Sequence, residues 1–205
     1  MHLAAIKSKQ QEIFKALRDF PDFHLVGGTA LALQLGHRFS VDFDLFSQKE
    51  LPKSLLAKTK RIFRALKRKV IVDIPGQLSI AVDGIKIDFV YDEFPLLFDL
   101  VKFQGIKMVQ PPEIAAMKAF TLGYRGTIKD YFDLYFLLKD KYTTLAEVKR
   151  NAEKKYGGEF NFKLFLEQLF YLKDVKRENI EFIKKAPSDE EMQRFFKQEI
   201  RKLKL

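Results

Sequence analysis

Residues 27–46 read GGTALALQLGHRFSVDFDLF. The preceding FHLV and the two glycines read as a short buried strand that ends in a glycine turn. TALALQL then reads as a short helix, with Gly36 just past its end where a left-handed residue is expected. The alternation in VDFDLF predicts a strand. Residues i and i+2 of a strand share a face, so Asp42 and Asp44 are expected side by side, with Val41, Phe43 and Leu45 turned into the core. Adjacent carboxylates repel unless a cation lies between them, and a hard divalent ion such as Mg²⁺ takes oxygen ligands of this kind. The bland alternative for a bare DxD is a solvated polar stripe. The apolar flanks and the glycine turn one short helix upstream favour the metal.

Outward from this stretch, residues 8–20 place Ile13, Phe14 and Leu17 on one helical face, and Pro21 ends that helix. Downstream, Pro52 opens a helix expected to run to about Lys67, with Lys53, Lys58, Lys60, Arg61, Arg64, Lys67, Arg68 and Lys69 giving it a basic face. Three strand signals follow: VIVDIP, LSIAVDG and IKIDFVYD, with Gly76 and Gly84 at the turns. The last carries a third carboxylate, Asp88. Asp83 precedes a turn glycine and reads as turn chemistry, and Asp92 lies at a strand end, so Asp88 is the preferred third ligand. Carboxylates from neighbouring strands can hold two Mg²⁺ ions for in-line phosphoryl or nucleotidyl displacement. Backbone N–H groups at Gly27 and Gly28 would approach phosphate oxygens, although most such glycine pairs only make turns.

The pattern changes after Val109. Pro111 and Pro112 start a helix with Glu113 in its first turn, and only helical periods follow, at about 112–123, 128–140, 144–156, 161–173, 176–185 and 188–203. The expectation is an α+β chain. Residues 1–109 would form a small mixed sheet flanked by helices, and residues 110–205 an all-helical domain that completes the active-site cleft.

Composition bounds the partners. Among 205 residues, 21 are Phe and none is Trp or Cys, so the core rests on Phe and no disulfide or thiolate metal site exists. No apolar run reaches the roughly 20 residues of a membrane span, and no signal-peptide core opens the chain, so a cytoplasmic location is expected. The net charge of +10 suits an anionic partner or is simply a basic surface.

Glycine turn, short helix, DxD strand and later strand aspartate together resemble the nucleotidyltransferase superfamily that includes polymerase β and the kanamycin nucleotidyltransferases. Thr29 stands where that signature usually has Ser. The wording of 27–46 is more similar still to the AbiEii/AbiGii toxin branch. PPEIAAMKAFTLGYRGTIKDYFDLYFLL, residues 111–138, resembles the branch's later motifs, with Lys118, Arg125, Lys129, Asp130 and Asp133 at the motif positions. No motif matches the last 65 or so residues.

The resemblance implies an NTP substrate and Mg²⁺ or Mn²⁺ held by Asp42, Asp44 and Asp88. It implies phosphate contacts from Gly27, Gly28, Thr29, Arg38, Ser40, Lys118, Arg125 and Lys129, and an active-site acid at Asp130 with Asp133 beside it. Read as residues alone, Lys118 either snorkels along its helix or points into a cleft as a phosphate ligand. Asp130 is either a first-turn helix acid or a catalytic group. Arg38 either holds a triphosphate or covers the sheet edge, and His37 receives no role.

Three functions compete. The first is a Mg²⁺-dependent nucleotidyltransferase that moves NMP from an NTP to a hydroxyl of RNA, tRNA or protein, as the toxin of an AbiE-type toxin–antitoxin pair with an antitoxin partner. The second is a non-catalytic RNA- or protein-binding module on a degenerate transferase fold, against which the intact carboxylates count. The third is a small-molecule transferase such as an aminoglycoside-modifying enzyme, for which a basic chain is poorly suited. The basic face of 53–69 fits RNA phosphates, a solvated surface, or an acidic antitoxin.

Overall fold

The computed structural model describes residues 1–172 and 175–203, and of Arg125 the backbone alone. The chain divides into two compact units, Met1–Pro95 with Asp99–Val109, and Leu96–Phe98 with Gln110–Leu205.

The first unit is built on one mixed sheet. Its strands are β1 (His24–Val26), β2 (Phe43–Ser47), β3 (Arg68–Ile74), β4 (Gln77–Val82), β5 (Ile85–Tyr91), β6 (Val101–Phe103) and β7 (Ile106–Met108), in the order β3-β4-β5-β2-β1-β7-β6. β2 lies centrally, antiparallel to β1 and parallel to β5. Its alternation does what the sequence predicts for Phe43 and Leu45, which are fully buried. Val41 is different. It precedes the strand and is 54% exposed, so the expected inward set begins at Phe43. The cause is a clamp on the approach to the strand: the Gln10 amide donates to the carbonyls of Ser40 and Val41 at 2.7 and 2.6 Å. The β6–β7 hairpin, with Gln104 and Gly105 both at positive φ in its turn, carries no strong sequence signal, because its two strands are only three residues each.

Three helices accompany the sheet: α1 (Ser8–Ala16), α2 (Gly27–Leu35) and α3 (Leu55–Ile62). α1 buries Ile13 and Phe14, and a 3₁₀ turn, Leu17–Asp19, extends it. α2 is apolar all round and almost wholly buried, and Gly36 closes it in the left-handed conformation at φ 61°. α3 stops well short of Lys67. The Arg68 guanidinium donates to the carbonyls of Lys60 and Phe63 at 3.1 and 2.7 Å, satisfying groups at the helix end. Phe20, Phe23, Phe63 and Phe89 form a ring cluster with centroids 4.9–6.5 Å apart, so Phe does dominate this core.

The second unit contains α4 (Pro111–Arg125), α5 (Ile128–Lys139), α6 (Leu145–Tyr156), α7 (Phe162–Phe170) and α8 (Asp189–Arg201). Capping boxes start α5 at Thr127/Asp130 and α6 at Thr144/Glu147. The expected helix at 176–185 does not form. That segment is extended and held by individual side chains: Arg177 pairs with Asp189, Lys184 with Asp140, and the Phe182 ring packs edge-on against Phe132 at 4.7 Å. Its 3.6-residue pattern is real, but the contacts it makes are those of a strap. α4 is anchored from within by Glu113, which accepts from the N–H groups of Leu97 and Phe98 and pairs with Lys155 at 3.0 Å. Both side chains of that pair are fully buried.

Candidate active site

The site in the α/β unit grows from three neighbouring backbones. β1 ends at Val26, directly opposite Asp44 in the antiparallel ladder. Asp44 is in turn opposite Asp88 in the parallel β2–β5 pair. Side chains at paired positions lie on one face of the sheet, so Asp44 and Asp88 stand next to each other, as the sequence reading expected. Asp42 precedes the strand, exposed, two residues ahead.

Gly27, the first residue of α2, touches this carboxylate pair. Its φ is +67°, and a Cβ built on it would sit 2.6 Å from Asp44 Oδ2. Glycine is required twice over here, by conformation and by the carboxylate against it. A Cβ on Gly28 would meet an Arg38 Nη at 2.6 Å and Ser40 Oγ at 3.5 Å. The glycine pair therefore lies between a carboxylate and a guanidinium at the start of a helix, where N–H groups and dipole favour an anion. Arg38 is 3% exposed and donates to the Phe39 carbonyl at 3.0 Å.

Two of the expected phosphate ligands serve the scaffold. The Thr29 hydroxyl bonds Ser40 Oγ at 2.8 Å and also the Asp42 carbonyl, and both side chains are buried. With Gln10, they fix the loop that delivers Asp42. His37 is fully buried as well.

Lys86 is the residue that sequence reasoning missed. Its Nζ lies 2.5 Å from Asp88 Oδ2. The hydrogen bond to Asp88, opposed by partial burial and reinforced by the fields of Asp88, Asp44 and Asp42, holds this ammonium above its usual pKa. A signal was present: Lys86 and Asp88 are i and i+2 in a strand and must share a face. The other oxygen, Asp88 Oδ1, is buried and has no hydrogen-bond partner among the described residues, an arrangement that is costly unless something is meant to bind there.

Among the described residues no three His, Asp or Glu side chains form a ready-made metal cage. Mg²⁺ does not need one, since it is commonly held by one or two carboxylates together with substrate phosphates and water. Asp44 and Asp88, with the orphaned Oδ1, suit that mode of binding.

The helical unit holds its own cluster. Lys118 Nζ on α4 lies 2.7 Å from Asp130 Oδ1 and 2.9 Å from Asp133 Oδ2, both on α5. Asp133 is fully buried, and Lys118 and Asp130 are about one-tenth exposed. Lys118 thus points inward and does not snorkel. Asp130 is also the N3 residue of a capping box, its Oδ2 accepting from the Thr127 N–H at 2.8 Å. One ammonium therefore lies between two largely buried carboxylates, a cluster whose members are held in place by charge as well as by packing. Lys129 pairs instead with Glu178, and the side chain of Arg125 lies outside the described residues.

The α/β unit is thus a mixed sheet with aspartates in register on its central strands, beside a glycine-led helix. The family model for the nucleotidyl transferase AbiEii toxin of type IV toxin–antitoxin systems matches residues 12–205, and the chain belongs to that family. An uncharacterized protein of Aquifex aeolicus (strain VF5) is 33% identical over 201 residues, covering 96% of each chain. Two solved structures share the fold. MenT4, a nucleotidyltransferase toxin from Mycobacterium tuberculosis H37Rv, gives a TM-score of 0.64 at 14% identity over 95% of this chain and 82% of its own. JHP933 from Helicobacter pylori gives 0.51 at 20% identity over 80% and 74%. The chain is a nucleotidyltransferase of the AbiEii family. Among the described residues, no helix is long and apolar enough to cross a membrane.

Proposed function

We propose that this nucleotidyltransferase moves NMP from an NTP to a hydroxyl of an RNA acceptor such as tRNA, with protein as the competing acceptor, and that Mg²⁺ is required. The observation that carries the reading is Asp44 in register with Asp88, beside a glycine that cannot bear a side chain. Asp42, Asp44 and Asp88 would hold Mg²⁺, for which Mn²⁺ can substitute, and the ion would supply charge neutralisation on the triphosphate and acidify the acceptor hydroxyl. Gly27 and Gly28 present backbone N–H groups to phosphate oxygens, and Arg38 backs them.

In the reaction the acceptor oxygen forms a bond to the α-phosphorus, the bond from that phosphorus to the bridging oxygen breaks, and pyrophosphate leaves with the electron pair. The hydroxyl proton passes to water, which the charge of the carboxylate cluster at Asp42, Asp44 and Asp88 favours. In the helical unit the same reading makes Lys118 a phosphate ligand, held extended by Asp130 and Asp133. The family's character supports a toxin role with an antitoxin partner.

The test incubates the chain with each α-labelled NTP, Mg²⁺, total RNA and total protein, and follows pyrophosphate release and label transfer. Labelled RNA, abolished by chelation and by Asp44→Ala, is the expected result. Inertness of the wild type toward every NTP and acceptor would favour a non-catalytic binding module. Growth arrest on expression, relieved by Asp42→Ala, is expected of a toxin, and harmless expression in several hosts would remove that label.

A further inference from the structure

The two most exposed large apolar side chains among the described residues are Tyr171, 68% exposed, and Tyr124, 65% exposed. They are far apart in sequence, yet both line the same cavity of about 370 Å³ in the helical unit. Tyr131, Gln168, Gly123 and Gly126 complete the part of its wall that matters here. Two largely exposed aromatic rings thus line one cavity, each with a face or edge open to a planar ligand.

The rest of the wall is chemically specific. Tyr131 is buried, and its hydroxyl donates to the Gln168 carbonyl at 3.1 Å, so the floor is fixed. Tyr124 is fixed too, its hydroxyl on the Glu159 carbonyl at 2.8 Å and its ring 5.0 Å from Phe120. The Gln168 side-chain amide has no hydrogen-bond partner among the described residues. It offers a donor and an acceptor together. Val175 lines the cavity, and the exposed Lys176 follows it in the chain. The volume lies at the small end of ligand pockets, which suits one flat ring system.

We propose that this cavity binds a nucleobase, stacked on Tyr171 and Tyr124 and read along one edge by the Gln168 amide, with Lys176 near the attached phosphate. The inference rests on the nucleotidyltransferase reading for its source of bases, which is either the NTP or an unpaired base of an RNA acceptor. Stacking on an aromatic ring tolerates any base because every base has a flat π-face, while an amide distinguishes edges by their donors and acceptors.

The test uses the full chain and two fluorescent probes: 2-aminopurine riboside monophosphate, and a single-stranded hexaribonucleotide with one 2-aminopurine. Saturable quenching of either probe is expected. Tyr171→Ala and Tyr124→Ala should each raise Kd by about 5- to 150-fold, the effect of losing one stacked base. Tyr171→Phe should keep the affinity, and Tyr171→Leu, which retains apolar bulk without a ring, should lose it. The Tyr171 ring is largely in solvent, so its variants should melt with the wild type, while Tyr124→Ala, which also gives up the Glu159 hydrogen bond and the Phe120 contact, is compared at a temperature where its melting curve shows it folded. Preference for the monophosphate identifies the NTP base as occupant, and preference for the hexamer identifies the acceptor. Absence of quenching with both probes, or a double alanine variant with wild-type Kd, would overturn the proposal. Pyrophosphate release is measured on the same preparations. A chain that binds the probes but uses no NTP refutes the catalytic reading and leaves this site standing, and the reverse pattern refutes the site alone.

Discussion

Gly27 and Gly76 have nearly the same positive φ, 67° and 80°, but a Cβ on Gly76 meets nothing within 4 Å while one on Gly27 meets Asp44. Alanine at either position costs about 1–2 kcal/mol through the left-handed backbone. Only Gly27→Ala also displaces a carboxylate at the site, where a shift of about 1 Å is enough for roughly a 10²-fold loss in turnover. We therefore expect Gly76→Ala to melt earlier with normal nucleotidyl transfer, and Gly27→Ala to lose transfer as well. Equal activity in the two would detach Asp44 from the chemistry. Lys86 gives a second prediction. Its ammonium already sits on Asp88, and charges of +1 and +2 a few ångströms apart repel by about 1–2 kcal/mol even in water. Lys86→Met should tighten Mn²⁺ binding to the nucleotide-free chain roughly tenfold by calorimetry, and an unchanged affinity would mean that the ion binds elsewhere. Alternation and turn chemistry were enough to put Asp44 and Asp88 on strands of one sheet and a glycine turn before them, but the register that sets Asp44 opposite Asp88 is a pairing across some forty residues that alternation does not give. Gln10 was not legible either, since its bonds to Ser40 and Val41 span some thirty residues of chain.

Between elements, two buried lysines in the helical unit invite comparison. Lys155 pairs with Glu113, which also caps the Leu97 and Phe98 amides. Lys118 lies between two carboxylates, Asp130 and Asp133. Removing one partner of a buried pair costs about 3–5 kcal/mol, so Lys155→Met and Lys118→Met should both lower the melting temperature. At a temperature where both remain folded, Lys155→Met should retain transfer activity and Lys118→Met should lose it. Loss in both would make Lys118 another packing pair. Tyr131 supplies a pH signature in the same unit. Burial, with the Asp130 charge, pushes its hydroxyl up to about 12. The folded chain therefore keeps this proton to higher pH than the unfolded chain, whose tyrosines titrate near 10. The stabilisation is complete below about pH 10 and is lost as the pH rises through about 12, a contribution of about 2–3 kcal/mol. Urea titrations across that window should show a steeper fall for the wild type than for Tyr131→Phe; parallel curves would contradict the assignment. Helices with a cap and a sustained apolar stripe, such as α5 and α6, were readable from sequence. Residues 176–185 have the stripe, but they are held by side-chain ties to Asp189, Asp140 and Phe132, and such ties leave no periodic trace.

At the scale of the whole chain, the charge is the property that fold does not explain. The sequence carries 37 Lys and Arg against 27 Asp and Glu, and the internal pairs of Asp88, Glu113, Asp130 and Asp133 with Lys86, Lys155 and Lys118 leave that excess in place. Solvent therefore meets a surface in which cations predominate. On α3 and the turn after it, Lys60, Arg61 and Arg64 are exposed, and no described acid pairs with them. If this face meets RNA phosphates, each contact releases condensed counterions, and log K falls with log salt by about 0.7 per contact for a single strand. Neutralising the three with Lys60→Gln, Arg61→Gln and Arg64→Gln should flatten the slope by about 2. Affinity should drop most at low salt and converge with the wild type at high salt, while the melting temperature stays unchanged because all three side chains are in solvent. A wild-type slope near zero would reduce the positive surface to a solvated one. An unaltered steep slope in the triple variant would move the RNA track off this face. A slope flattened by about 2, with pyrophosphate release unimpaired when a short acceptor is supplied in excess, would separate acceptor capture from the chemistry at Asp44 and Asp88.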